Sequence, residues 1–474
     1  MRILHVGSGF RPWRVGGLVA YVEDLMDEQM RRGHGVTYFF AGRQYPLLSG
    51  PRLRRWKRRG IRMLEVVNSP LFDHGRQPEL EISEPSVERI FERVLDQVRP
   101  EVVHVQELAG LPFSVLDAIE RAGAPSIVTL QDYFPICSTF KLIDASGRVC
   151  TRREIGADCL ASTAADPRAR GLMFDATVIH ALFRVPVLRD NLRARRAAQR
   201  TARAIGAVAV VGREHEAAAP SAFQRRREAN VERLNRADCV IAMSNRVAEI
   251  YSELGVRPDR LRTTHLTLSH IERLTPRIAN ADRPVTFGTL AGFESVPKGA
   301  ELLREATSTL ARQASEGRFR LLVFGTVDPA YREEAETLPG VELRGRYRPD
   351  SLDAILDEVD VGILPSVWEE AYGYAGMEFL AKGIPVIANA IGGMVDYTRE
   401  GETGWLNRSC SAGELAQIMA GVIDGPEQVA ELNERIRANR DAIVKPLARH
   451  ADEMDALYRE TIESRAAMQP LRQE

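Results

Sequence analysis

The chain has little of several things, and each shortage closes off a class of explanation. It carries five cysteines in 474 residues, an odd count, and a disulfide framework is not expected from it. Its 64 basic and 65 acidic side chains leave a formal net charge of −1, which excludes the broad basic excess of a general nucleic-acid binder. No apolar run approaches the roughly 18 residues needed to cross a bilayer. The opening Met1-Arg2-Ile3-Leu4-His5-Val6-Gly7 reads as a strand entering a glycine turn, not as a secretory signal. A cytoplasmic location is therefore the expectation. Asp-x-Asp, a common way to hold a divalent metal, occurs nowhere. Internal repeats and low-complexity tracts are absent too.

What is present is ordinary globular material. Hydrophobic residues make up 44% and charged residues 27%, enough apolar content for two cores, and the length predicts two or three domains. Short apolar runs alternate with amphipathic stretches, the pattern of a parallel sheet covered on both faces. Strands are expected at 3–6, 36–40, 102–105, 127–130 and 240–244, then at 285–290, 320–324, 341–344, 361–364 and 385–388. Helices are expected over 19–32, 87–98, 301–313, 352–357 and 412–423. The segment 273–284, with two prolines and little apolar content, reads as the linker. Domains are expected at 1–275 and 276–445, followed by a C-terminal helix within 446–474.

The most informative run is Pro365-Ser366-Val367-Trp368-Glu369-Glu370-Ala371-Tyr372-Gly373-Tyr374-Ala375-Gly376-Met377-Glu378. Val361–Leu364 reads as a buried strand before it, and Phe379-Leu380-Ala381-Lys382-Gly383 as a helix stopped by glycine. A strand, a loop and a helix start present backbone N–H groups and a partial positive charge to an anion. Glu370 falls on the loop and Glu378 on the first helical turns.

This run resembles the glutamate–seven–glutamate motif of family 4 (group 1) retaining glycosyltransferases. Gly16-Gly17 with Arg32-Gly33-His34-Gly35-Val36, Ala237–Ser244, Lys298-Gly299, Gly345-Arg346 and Gly392-Gly393 are similar to further family landmarks, in the family's order. The resemblance implies a GT-B architecture, two doubly wound Rossmann-like domains facing across a cleft, with the C-terminal helix packed back on the first domain. It implies transfer of a sugar, with retention, from a nucleotide-diphosphate sugar to a glycan, lipid-linked or small-molecule acceptor. No cofactor is expected and no divalent metal is required. Lys298, the N–H groups of Tyr372, Gly373, Tyr374 and Ala375, and Arg346 would meet the diphosphate. Gly16 and Gly17 would admit the donor closely, Glu378 would hold the ribose and Glu370 would face the sugar. His104, Gln131 and Asp132 are candidate catalytic groups at strand ends of the first domain, with a satisfied structural histidine the stronger reading of His104.

The chain departs from the family pattern at Gln131, where histidine is common, and at Thr289, where a phosphate-binding arginine is common. Arg346 is the candidate to replace that arginine. A second reading follows from these departures: a catalytically weakened nucleotide-sugar binder or regulatory subunit. The usual Asn-Gly turn is also missing from Thr264–Ser269. Cys137, Cys150 and Cys159 form a cysteine-bearing segment like that of some relatives, with isolated thiols, a zinc site lacking an obvious fourth ligand, and redox pairing all open. Two basic runs stand out. Arg193, Arg195, Arg196, Arg200 and Arg203 lie in an Ala- and Arg-rich helical insertion over about 165–235, and Arg52, Arg54, Arg55, Lys57, Arg58, Arg59 and Arg62 surround Trp56. Such runs read first as solvated faces; the functional alternative is peripheral contact with an anionic membrane face or an acidic acceptor, with Trp56 as an interfacial anchor.

Overall fold

The computed structural model describes residues 1–11, 14, 16–45, 50–71, 75–165, 197, 218–279, 283–313 and 317–468. The chain divides into two compact units. The first comprises Met1–Met243, Ala248–Thr264 and Ala448–Glu474, and the second Ser244–Val247 and His265–Leu447.

The first unit contains β1 (Arg2–Gly7), β2 (Gly35–Ala41), β3 (Arg52–Arg58), β4 (Ile61–Val67), β5 (Val102–Val105), β6 (Ser126–Leu130), β7 (Cys239–Ala242) and β8 (Leu261–Thr263). They form one sheet in the order β3-β4-β2-β1-β5-β6-β7-β8. Every neighbouring pair is parallel except β3–β4. The five strands expected from sequence are all present; β3, β4 and β8 are additions. β3 escaped notice because Arg-Leu-Arg-Arg-Trp-Lys-Arg lacks an apolar run. It is an edge strand, where charge is the usual protection against unwanted pairing.

The covering helices follow from simple signals. Pro85–Val98 has proline in its first turn, the Glu84 side chain accepts from the Ser86 N–H, and Arg99 ends it at φ 44°. Val87, Ile90, Phe91, Val94 and Leu95 form its buried stripe. The C-terminal helix Leu447–Met468 belongs to the first unit from Ala448 onward. Its buried Tyr458 hydroxyl accepts from Gln29 Nε2 at 3.1 Å and shares a hydrogen with His104 Nδ1 at 2.7 Å. Arg32 fastens the same helix through Asp452 and Asp455.

The second unit contains β9 (Val285–Thr289), β10 (Phe319–Phe324), β11 (Val341–Gly345), β12 (Val361–Leu364), β13 (Val386–Asn389) and β14 (Gly404–Asn407). The order β11-β10-β9-β12-β13-β14 is parallel throughout. This is the doubly wound 3-2-1-4-5-6 arrangement, whose strand order reverses between β9 and β12. Phe287, Leu321, Val323, Val361 and Ile363 from the sheet pack with Leu303, Leu310, Leu415 and Met419 from the helices Ala300–Gln313 and Ala412–Asp424. Each such side chain contributes roughly 1.5–3 kcal/mol by leaving water.

Three expectations are corrected here. Residues 273–284 are not where the chain passes between units; that happens at Met243/Ser244, Val247/Ala248, Thr264/His265 and Leu447/Ala448. Arg277 ties the segment into the second unit, its N–H on the Lys382 carbonyl and its guanidinium on Val359 and Asp360. Trp56 is no exposed anchor, since it is half-buried with its ring 5.3 Å from that of Phe10. Its basic neighbours Arg54, Arg58 and Arg59 pair with Glu65, Glu23 and Asp27. Finally, the described part of the Arg-rich segment, the helix Pro220–Arg236, turns arginines inward. Arg226 binds Glu81 and the Phe134 carbonyl, and Arg227 the Ile136 carbonyl. Arg193, Arg195, Arg196, Arg200 and Arg203 lie outside the described residues. Among the described residues no helix is long and apolar enough to cross a membrane.

Candidate active site

In the second unit the loops after β9 and β12 flank the point where strand order reverses, the place where open parallel sheets bind ligands. Lys298 ends the first of these loops and Glu370 lies in the second. Lys298 Nζ stands 2.9 and 3.0 Å from the two Glu370 oxygens. Ser366 Oγ and Trp368 Nε1 donate to Glu370 Oε2 at 3.0 and 3.1 Å. The ammonium also sits 5.5 Å from the Trp368 ring centroid, within cation–π range. Three side chains converge on one carboxylate.

Two glycine positions make this packing possible. Gly299 adopts φ +84°, and a Cβ there would lie 1.9 Å from the Pro365 carbonyl oxygen. Only glycine lets the Lys298 turn press against the backbone that leads to Glu370. Gly392, at φ +65°, would place a Cβ 2.5 Å from the Glu370 backbone. Its N–H donates to Glu369 Oε2 at 3.0 Å, and Glu369 pairs with Arg246 at 2.8 Å.

The helix Tyr374–Ala381 begins after Gly373, at φ 77°. Glu378 lies inside this helix, 9% exposed, and Glu378 Oε1 is 2.7 Å from His270 Nε2. Burial, with the charges of Glu378 and Glu294 beside it, pushes the Tyr347 phenol above its ordinary range. Tyr372 is buried; its ring stacks on His265 and meets Tyr374 and Tyr397 edge-on. Tyr397 donates to the Gly373 carbonyl at 2.8 Å, steadying the helix start. The arrangement offers an anion one flexible cation and the positive end of a helix, with two oriented carboxylates nearby.

Comparison with known proteins decides what this arrangement belongs to. The family described as "Glycosyl transferases group 1" matches residues 284–425, and "Glycosyl transferase 4-like domain" matches residues 16–184. The chain belongs to the group 1 glycosyltransferases. The D-inositol 3-phosphate glycosyltransferase of Corynebacterium glutamicum (strain R) is 31% identical over 179 residues, 35% of this chain and 41% of that protein. The 2-deoxystreptamine glucosyltransferase of Streptomyces kanamyceticus is 30% identical over 217 residues, 44% of this chain and 53% of that protein. The chain thus spans about half or less of these curated relatives. The crystal structure of Anabaena HepE in complex with UDP covers 98% of this chain and 100% of its own at TM-score 0.59 and 14% identity. Sucrose-phosphate synthase from Thermosynechococcus elongatus covers 98% and 99% at TM-score 0.59 and 16% identity. These likenesses establish the fold, GT-B, with its two parallel-sheet α/β domains.

Within this family frame the remaining expected residues fall into different places. Arg346 is exposed beyond the end of edge strand β11, donating to Thr326 Oγ1 at 3.0 Å, and no hydrogen bond or ion pair joins it to the Lys298–Glu370 cluster. Thr289 ends β9 and is buried. Gly16, in the first unit, has φ +126° with open space where a Cβ would stand, while Gly17 opens the helix Gly17–Arg31. His104 is not a catalytic group: it is wholly buried, its Nδ1 on Tyr458 and its Nε2 on Thr129 Oγ1 at 2.7 Å. Burial holds its ring well below the ordinary histidine range, so it stays neutral. Gln131 and Asp132 follow β6, as expected. Burial and the Glu107 carboxylate push the Asp132 carboxyl well above its ordinary range.

Sequence reasoning missed His270, Ser366 and Trp368 as partners of the two glutamates, and Glu107 as the partner of Asp132. Ser366 and Trp368 stood inside the quoted motif and could have been found; His270 lies 108 residues from Glu378 and left no signal. Cys137, Cys150 and Cys159 are free thiols lining one pocket with Arg227. Burial, then Cys137, push the Cys159 thiol up to about 11. Among the described residues no group of three or more His, Cys, Asp or Glu is arranged to hold a metal ion.

Proposed function

We propose that the protein transfers a sugar from a nucleotide-diphosphate sugar to a hydroxylated acceptor, with retention of configuration and without a divalent metal. The observation that carries the reading is the Lys298–Glu370 pair, buttressed by Ser366 and Trp368 at the β9/β12 switch point. On this reading the diphosphate draws Lys298 away from Glu370 and rests against the start of the helix Tyr374–Ala381. Negative charge grows on the leaving diphosphate as the C1–O bond breaks. A cation and aligned N–H groups therefore stabilise the transition state more than the ground state. Glu370, released from Lys298 but still held by Ser366 and Trp368, accepts from sugar hydroxyls. Glu378, braced by His270, accepts from the ribose hydroxyls. The acceptor oxygen bonds to C1 and its proton leaves with the diphosphate.

Supporting the donor class, the HepE structures hold UDP, UDP with glucose, and UDP-glucose. Supporting a hydroxylated acceptor, the relatives' names specify inositol phosphate and 2-deoxystreptamine.

The test is a panel of UDP-, GDP- and dTDP-sugars, read by thermal shift and by nucleotide release, with EDTA throughout. A donor at ~100 times its dissociation constant stabilises by ~2.7 kcal/mol. We expect one donor class to shift the melt in EDTA and Lys298→Ala to abolish the shift. A shift that needs added divalent metal would overturn the metal-free reading. Binding without release under any acceptor would favour the nucleotide-sugar binder, the reading that Thr289 supports.

A further inference from the structure

Behind the Glu370 loop lies a pair of buried amides that the chemistry above does not use. Asn389 ends β13 and Asn407 ends β14; they are partners in register and are 1% and 0% exposed. Asn407 Nδ2 donates to Asn389 Oδ1 at 2.7 Å and to the Ser411 carbonyl at 3.0 Å. Its Oδ1 accepts from the Ser411 N–H at 3.3 Å. Asn389 Nδ2 donates to two successive carbonyls, those of Pro365 and Ser366, both at 3.0 Å. Every donor and acceptor of the two amides thereby has a partner. The orientation is forced as well. Turned over, Asn389 would set its oxygen against two carbonyl oxygens and its amino group against that of Asn407. Buried amides weaken an apolar core unless they are fully paired, and what this pair holds is the backbone that leads to Glu370.

The two clamped carbonyls belong to the peptide planes on either side of the Ser366 Cα. Each plane is rigid, so fixing both fixes the backbone dihedrals of Ser366 and the direction in which its Oγ leaves the chain. That Oγ donates to Glu370 Oε2 at 3.0 Å. The same stretch seats the Lys298 turn. The Val367 N–H donates at 3.0 Å to the carbonyl of Pro297, the residue before Lys298, and the Pro365 oxygen is the atom for which Gly299 leaves room. Neither amide hydrogen-bonds Glu370 or Lys298 themselves, so any effect on them passes through the loop.

We propose that Asn389, backed by Asn407, is a positioning residue for transfer: it locks the Ser366 backbone so that Ser366 and Trp368 present the Glu370 carboxylate to the donor sugar. The proposal rests on the transferase reading above and names what orients that reading's carboxylate.

The experiment uses the full chain and two readouts. The first needs no donor. Trp368 Nε1 donates to Glu370 Oε2, so its indole signal in a proton–nitrogen NMR spectrum, identified by its loss in Trp368→Phe, reports where that carboxylate stands. Asn389→Ala should move this signal toward its position in Glu370→Ala and leave the Trp56 indole of the first unit in place. The second readout is nucleotide release from UDP-, GDP- and dTDP-sugars. Asn389→Ala should lower kcat about tenfold with the donor KM within about twofold. In a Glu370→Ala background the further loss should be under about twofold, because both changes act on one group. Asn407→Ala, one bond further back, should give the same pattern more weakly. A cooperative melt certifies each variant, and if Asn389→Ala fails to fold, Asn407→Ala carries the test. Failure of both to fold would mean that the pair holds the unit and not the loop, and overturns the proposal. An unmoved Trp368 indole in the folded variants overturns it too, as does a loss that multiplies with that of Glu370→Ala. A moved indole without turnover of any donor leaves the clamp on Glu370 standing and removes the transferase reading. Turnover with an unmoved indole does the reverse.

Discussion

The two units share a plan and differ in the chemistry at their strand ends. Both are parallel sheets with a reversal of strand order, but the second unit sets opposite charges there. Lys298 and Glu370 neutralise each other, and a helix start adds partial positive charge. The first unit sets buried polar groups there: the Gln131 amide and the Glu107 and Asp132 carboxyls, which burial pushes above their ordinary range. One end offers a cation and a helix start to an anion, and the other packs its acids and amides against one another. Topology decides where a ligand can sit, and the loop residues decide which.

The sharpest way to break this contrast is Glu370→Ala. It removes the carboxylate on which Lys298, Ser366 and Trp368 converge, and turnover, read as nucleotide release, should fall at least ~100-fold. Activity close to wild type would show that the pair is only structural. Gly299→Ala should cost about tenfold, because a Cβ 1.9 Å from the Pro365 oxygen forces the Lys298 turn out of place. The loss should appear with the thermal melt unchanged; a lowered melt would mean general unfolding.

The smallest effect concerns pH and the first unit alone. His5 is protonated below about 6.5 when unfolded but only below about 4 when folded. Across that window the unfolded chain binds more protons, so this group's contribution to stability declines as pH falls. Denaturant melts at pH 7 and pH 5 should show wild type losing about 2 kcal/mol more than His5→Gln. Equal losses would mean that the ring is already charged at pH 5 in the folded chain.

Legibility from sequence followed the distance between partners. Glu370 was readable because its spacing to Glu378 is local and the strand before it is a clean apolar run. β1, β2, β5, β6 and β7 were readable for the same reason. His104 kept both a structural and a catalytic reading because the partner that decides for the structural one, Tyr458, is 354 residues away. The basic run around Trp56 read as a solvated or membrane-facing surface because its acids, Glu23, Asp27 and Glu65, come from other elements. Arg346 shares the family's spacing, yet it follows an edge strand that lies two strands from the one ending in Thr289.

By itself, then, the sequence determined the parallel α/β class, the strand–loop–helix around Glu370 and Glu378, and the glycines that loop packing demands. These depend on local periodicity and on backbone conformations that few residues adopt. Only the tertiary structure decided that Lys298 meets Glu370, that His270 braces Glu378, and that Glu107 meets Asp132. Those outcomes depend on which strand ends become neighbours, and that is set by sheet order and not by spacing along the chain.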